Sequence, residues 1–241
     1  MNLLLVEAAE IIDGVVTLAA KDRRAEHLRR VLQVKVGSSV RAGIVNGPLA
    51  PATVTAADDG FTLALDLARY PIPSAPLPVE LLLAIPRPKA LTRLIESCAA
   101  FGVARIDLTN AWRVDKSYLQ SDRLAPDELA HALRLGAEQG ATTHIPPIAV
   151  HKTLMGLLDS RFAAPEGATR LLAHPDAPPI EAAKLTWPLT LAIGPEGGWI
   201  QRELDTFVER GFQLVSIGTP ILRTADAVAA ALGQLMLLRR R

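Results

Sequence analysis

Leu191-Ala-Ile-Gly-Pro-Glu-Gly-Gly198 and, further along, Ser216-Ile-Gly-Thr-Pro-Ile-Leu-Arg-Thr224 decide how this chain is read. Each is a short apolar run halted at a glycine-bearing turn, and each turn leads into a helix-compatible segment. Proteins with parallel α/β sheets build ligand sites at the carboxyl ends of their strands, where such turns lie. Two of them close together near the end of the chain predict an α/β domain with a nucleotide-like ligand.

Upstream of these loops the pattern is an alternation of strands and helices. Val79–Ile85 is a near-continuous apolar strand. Residues 89–101 are helical and stop at Gly102. Arg105–Thr109 is a strand, and Asp127–Gln139 a helix with Pro126 near its start. Strands follow at Ile148–Val150, Arg170–Ala173, Leu189–Ile193 and Gln213–Ile217. Helices are expected at Thr153–Asp159, at Gln201–Glu209 before Gly211, and at Ala225–Leu238. Alternation of this kind gives a parallel sheet covered on both faces.

Residues 1–70 read differently. Apolar pairs at Val15-Val16, Val34–Val36, Val40, Ile44-Val45, Val54 and Phe61–Leu65 sit between turn signals such as Asp13-Gly14, Gly37-Ser38 and Asn46-Gly47-Pro48. Short strands at that spacing predict a small β-barrel, interrupted by a charged helical run at residues 21–32. Between the two regions, residues 71–78 hold a run of prolines, which continue neither a helix nor a central strand. The expected organisation is therefore a barrel at 1–70, a proline-rich linker at 71–78 and an α/β domain at 79–241.

Of 241 residues, 49% are hydrophobic and 21% charged, which excludes a disordered chain. No apolar run approaches the ~20 residues needed to span a bilayer. The opening Met1–Val6 is too short for a signal-peptide core and soon meets Glu7 and Glu10. A lone cysteine, Cys98, forms no internal disulfide and points to a reducing, cytoplasmic setting. His131, His144 and His151 share no ligand spacing with it, so no metal site is expected. The net charge is only +1, but Lys21, Arg23, Arg24, Arg29, Arg30 and Lys35 cluster in one short run, and the chain ends in three arginines. Such a patch suits phosphate contact at one face; a solvated helix face is the other reading.

Gly194-Pro-Glu-Gly-Gly198 has the spacing of neither G-x-G-x-x-G nor a P-loop. Its glycines let backbone approach a flat ligand, or simply make a tight strand–helix turn. In the second loop, Ile221 and Leu222 suit an adenine slot, and Arg223 suits an anion or an ordinary salt bridge. Thr224 or Asp226 is placed to cap the last helix. Trp199 is either a lid or a packing residue.

Ile193-Gly-Pro-Glu-Gly-Gly198 together with Gly218-Thr-Pro-Ile-Leu-Arg-Thr224 resembles the two cofactor loops of the bacterial 16S ribosomal RNA (uracil-N3)-methyltransferases of the SPOUT superfamily. Weaker likeness runs through His27-Leu-Arg-Arg-Val-Leu32 with Gly37, Phe101-Gly-Val103, Arg113, Glu138-Gln139 followed by Pro146, and Leu172-Ala-His-Pro175. The resemblance implies a C-terminal SPOUT domain with a deep trefoil knot and an N-terminal PUA-like RNA-binding barrel, acting as a homodimer on ribosomal RNA of the small subunit. It implies S-adenosylmethionine bound by Leu172, Ala173, His174, Ile193, Gly194, Pro195, Glu196, Gly197, Gly198, Ile217, Gly218, Ile221 and Leu222. RNA contacts fall to Arg23, Arg24, His27, Arg29, Arg30, Arg87, Lys89 and Arg113.

For methylation of uracil N3, Arg223 is placed to stabilise the anion, and Asp226 or Glu138 to accept the proton. Asp226 is more readily read as a helix cap than as a base. The chain departs from the family where Leu-Arg-Thr is usually followed by Glu-Thr-Ala, here Ala225-Asp226-Ala227. It departs again at Ser97, Ala100 and Thr142. Those departures leave open another RNA target, or an inactive relative that only binds RNA.

Overall fold

The computed structural model describes residues 2–68, 75–164, 167–218 and 221–240. They fall into two compact units, one of residues 1–75 with 134–145, the other of residues 76–133 with 146–241. The sequence pattern gave no sign that residues 134–145 group with the N-terminal segment.

The first unit contains β1 (Leu4–Val6), β2 (Val15–Leu18), α1 (Arg23–Arg30), β3 (Ser39–Val40), β4 (Ala42–Ile44), β5 (Ala52–Ala56) and β6 (Phe61–Leu65). Strands β2, β6, β5 and β3 form an antiparallel sheet in that order, while β1 pairs in parallel with β4. In β5 the pleat turns Ala52 and Val54 inward and Thr53 and Thr55 outward. Helix α1 is capped by the Asp22 carboxylate, which accepts from the Arg24 N–H, and buries Ala25 and Leu28 against Val16, Leu18, Phe61 and Leu63.

Val34–Val36 is not a strand. The Leu32 N–H donates to His27 O and the Val34 N–H to Leu28 O, so this backbone closes the C-terminus of α1 instead of joining a ladder. A second apolar cluster forms where Leu3 and Leu5 meet Ala137, with Val45, Leu49 and Ile145 packed around it. A β-carbon on Gly43 would stand 2.5 Å from Thr143 Cγ2, so the Thr143 side chain packs directly on the β4 backbone where only glycine leaves room.

The second unit contains β7 (Leu77–Ala84), α2 (Pro88–Ala100), β8 (Val103–Thr109), the first half of α3 (Pro126–Gly140), β9 (Ile148–His151), α4 (Leu154–Arg161), β10 (Thr169–Ala173), β11 (Leu189–Ile193), α5 (Gln201–Glu209), β12 (Gln213–Val215) and α6 (Thr224–Leu238). Its six strands run parallel in the order β12-β10-β11-β7-β8-β9. Every residue of β11 is buried, as is the second half of β7, which is why both read as unbroken apolar runs.

Strand β7 begins two residues earlier than the proline run suggested. Pro78 is tolerated at a register shift between Leu77 and Glu80, where the ladder does not need its missing N–H. Residues 71–74 of the expected linker lie outside the described residues. Among the described residues no helix is long and apolar enough to cross a membrane, and no three potential metal ligands come together.

Candidate active site at the carboxyl edge of the sheet

Strands β10, β11 and β12 are neighbours and end on the same edge. Their following loops enclose a cavity of about 380 Å³. Ala173, His174, Ile193, Gly194, Pro195, Glu196, Gly197, Gly198, Ile217, Gly218, Ile221 and Leu222 line it, and Arg113, Pro175, Asp176, Trp199, Thr224 and Ala227 complete the wall. Leu172 is not among the lining residues. It pairs with Ala192 and Leu214 inside the sheet, fully buried, so it is core.

The glycines of the first loop are required by the protein itself. A β-carbon at Gly194 would stand 2.9 Å from Trp199 Nε1 and 3.1 Å from two ring carbons, so the indole occupies the space a side chain would need. One at Gly197 would stand 3.3 Å from both Cβ and Cδ of Arg113. Trp199 is thus a packing residue that also borders the cavity. It meets Phe207 edge-on at 5.0 Å, Phe207 meets Phe212 at 4.9 Å, and Phe212 meets Phe162 at 5.3 Å, which ties the loop to α5 and the core.

Hydrogen bonds hold the loops in place. The Gly198 N–H donates to Pro195 O, and Arg113 Nη1 donates to Gly197 O at 2.6 Å. Thr224 Oγ1 donates to Gly194 O at 3.3 Å, linking the second loop to the first. Gln234, far along α6, reaches back to donate to Ile217 O at 2.7 Å. His174 Nδ1 accepts from the Asp176 N–H at 3.3 Å and shapes the third loop. Each of these carbonyls keeps a second lone pair. The indole N–H of Trp199 is buried and has no acceptor among the described residues.

Helix α6 is capped by neither predicted side chain: its N-cap is Arg223, which makes no side-chain capping bond, and Thr224 is the first helical residue. Thr224 and Ala227 line the cavity, whereas Arg223, extended just before the helix, and Asp226, one position behind Ala227 and so about 100° round the helix, are exposed. Neither makes an ion pair among the described residues. Asp226 in the first turn still complements the helix dipole.

Glu138 is no candidate base. It does not line the cavity, its side chain is 1% exposed, and both its oxygens accept from Arg23 Nη2, at 2.8 and 2.9 Å, within the first unit.

The predicted RNA contacts divide as well. Arg24 is buried: Nη1 donates to Leu5 O and Glu10, and Nη2 to Glu10 and Asp22, so it clamps the fold. His27 is half-buried. Burial, with the charge of Arg23 beside it, holds its imidazole below the usual range, which leaves it neutral at pH 7. Arg29 lies over the Phe61 ring, Arg30 pairs with Glu26, and Arg87 pairs with Glu196; all three are exposed, as is Lys89. Arg113 belongs to the cavity wall. Sequence reasoning assigned no cofactor role to Arg113, Thr224 or Gln234, since each acts through a contact remote in sequence.

The pattern that defines the RNA methyltransferase domain matches residues 73–236. The chain is 29% identical over 236 residues to the ribosomal RNA small subunit methyltransferase E of Treponema pallidum, covering 96% of this chain and 89% of that protein. It is 30% identical over 224 residues to the protein of that name from Mycobacterium bovis, covering 89% and 84%. Its fold is similar to the crystal structure of a ribosomal RNA small subunit methyltransferase E from Neisseria gonorrhoeae bound to S-adenosyl methionine, with a TM-score of 0.79, 23% identity and coverage of 99% and 98%. On this match over most of its length, the chain belongs to the RNA methyltransferase family.

Proposed function

We propose that this protein uses S-adenosylmethionine to methylate N3 of a uridine in the 16S RNA of the small ribosomal subunit. The observation that carries this reading is the cavity walled by three loops at the carboxyl ends of β10, β11 and β12, in a chain whose relatives bear the name of a small-subunit ribosomal RNA methyltransferase. Its volume falls within the roughly 300–1,000 Å³ of small-molecule sites.

The residues fit the cofactor. Apolar Ile193, Ile217, Ile221 and Leu222 face a flat ring system, and the Trp199 N–H is a buried donor in need of an acceptor. When bound, S-adenosylmethionine supplies a methyl group already activated by its sulfonium. The chain's own task is to orient and to handle charge. Arg223, exposed between the lining residues Leu222 and Thr224, is placed to stabilise the uracil N3 anion. Asp226 accepts the N3 proton directly or through water. The uracil must first leave its helical stack, and Arg29, Arg30, Arg87 and Lys89 are the exposed cations offered to phosphates.

The same reading makes the first unit a PUA-like RNA-binding barrel, supported by its antiparallel β2-β6-β5-β3 sheet. It makes the second unit a knotted SPOUT domain. In support, Thr224 at the start of α6 is hydrogen-bonded to Gly194 at the end of β11, although β10 stands between β11 and β12 in the sheet. It also places the protein in the cytoplasm as a homodimer.

The test is transfer of labelled methyl from S-adenosylmethionine to small subunits from cells lacking this protein, followed by nucleoside analysis. Label recovered as 3-methyluridine is the expected result. Label in another nucleoside moves the target, and RNA binding without label replaces the enzyme with an assembly factor.

A further inference from the structure

After β8 the chain turns at residues 110–114, and there Trp112 presents its side chain to solvent with 79% of its surface exposed. The exposure does not come from a loose loop. The Trp112 N–H donates to Glu203 Oε1 at 2.8 Å, and the other oxygen of this buried carboxylate accepts from the Ile200 N–H at 3.0 Å. The Val114 N–H closes the turn on Ala111 O at 3.0 Å, and both residues are buried. The next side chain, Arg113, lies along Gly197 in the cavity wall. A rigidly mounted indole therefore stands free beside the cofactor cavity.

Its charge surroundings favour one kind of occupant. Arg113 and Lys116 follow it closely in the chain and are exposed. The intervening Asp115 is turned back onto the N–H and hydroxyl of Ser117, at 2.9 and 2.8 Å. An exposed aromatic face with cations close by in the chain is the composition of a single-stranded nucleic-acid platform, because every base offers a π-face and every nucleotide a phosphate.

We propose that Trp112 stacks on a base of the bound RNA at the mouth of the cavity, holding open the strand from which the reacting nucleotide is drawn. This rests on the RNA-methyltransferase reading above. An enzyme that works on a base must unstack it, and an aromatic ring replaces the stacking that the neighbouring base loses.

The test uses the full chain with Trp112→Ala and Trp112→Phe. With small subunits as substrate, Trp112→Ala raises KM by about tenfold or more, while Trp112→Phe keeps it within about threefold of the parent. Affinity for S-adenosylmethionine, by calorimetry, is the same in all three. Oligouridylate quenches indole fluorescence in the parent and much less in Trp112→Phe. An unchanged KM in Trp112→Ala overturns the proposal. So does a shift of oligomeric state in sedimentation, which assigns the ring to a contact between copies of this chain. If the parent methylates no RNA, the functional reading fails, and the oligouridylate quench still decides the platform.

Discussion

Arg113 lies lengthwise across Gly197, its Nη1 hydrogen-bonded to the glycine carbonyl at 2.6 Å and its Cβ and Cδ both 3.3 Å from where a glycine β-carbon would stand. The arginine and the glycine are thus one wall of the cavity. Replacing Arg113 with Ala removes a charged donor and a packing surface together, and S-adenosylmethionine affinity falls by about tenfold in calorimetry. Gly197→Ala pushes the arginine aside and also weakens binding. In the Arg113→Ala background the same substitution meets only the retained Cβ and adds less, so the pair is non-additive in a double-mutant cycle.

Gly194 offers a sharper contrast, because the atoms it faces belong to the buried indole of Trp199 and cannot swing into solvent. Gly194→Ala is expected to destabilise the protein by about 1–3 kcal/mol, read as a lowered melting midpoint with altered tryptophan fluorescence. Gly233→Ala, in α6 with nothing within 4 Å of its would-be β-carbon, stabilises by about 0.5–1 kcal/mol.

Arg24 and Arg29 sit in one basic run but have opposite roles. Arg24→Ala leaves Glu10 and Asp22 without their shared cation; with Glu10 partly exposed, the loss is about 2–4 kcal/mol of stability. The salt dependence of RNA binding stays as it was. Arg29→Ala leaves the melting midpoint nearly in place and lowers the slope of log K against log salt by about one.

Acid should unfold the protein through three carboxylates. Hydrogen bonds from Arg24 hold Glu10 below its ordinary value. At Asp22 and Asp107 burial raises the value, but hydrogen bonds from Arg24, and from Arg105 and His151 together with the charge of Arg161, outweigh it and leave both lowered. A carboxylate with a depressed folded pKa contributes stability above its unfolded pKa and loses it as pH falls through the folded one. Urea midpoints are therefore flat near neutrality and fall below about pH 4. Asp107→Asn, which breaks a buried pair at about 3–5 kcal/mol, makes the acid slope shallower.

Gln234 holds the second loop from a distance. Gln234→Ala frees the Ile217 carbonyl, and affinity for S-adenosylmethionine drops about three- to tenfold with little change in melting midpoint.

Much of this site is legible in the sequence because strand ends and turns are local. An apolar run that stops at Ile193 and a glycine that follows it mark the carboxyl edge of a strand whatever the rest of the chain does. Leu172 was misplaced because the same local pattern does not say where a strand residue passes from sheet to loop. Val34–Val36 has strand composition, yet the end of α1 claims its backbone donors first. Glu138 looked available as a base because its actual partner, Arg23, is more than a hundred positions away in sequence. Thr224, Gln234 and Arg113 escaped for the same reason, being polar side chains whose meaning lies entirely in a distant carbonyl.

Helix α3 belongs to both units, its start to the second and its stretch from Arg134 onward to the first. The N-terminal unit is therefore not a separable cassette. During synthesis, Leu3 and Leu5 remain without Ala137 and Ile145, and Arg23 without Glu138, until more than half the chain has left the ribosome. A cut after residue 75 would strand those partners on opposite fragments. Recombination that exchanged the front of this gene alone would break the unit it meant to transplant, so the two halves are constrained to be inherited together.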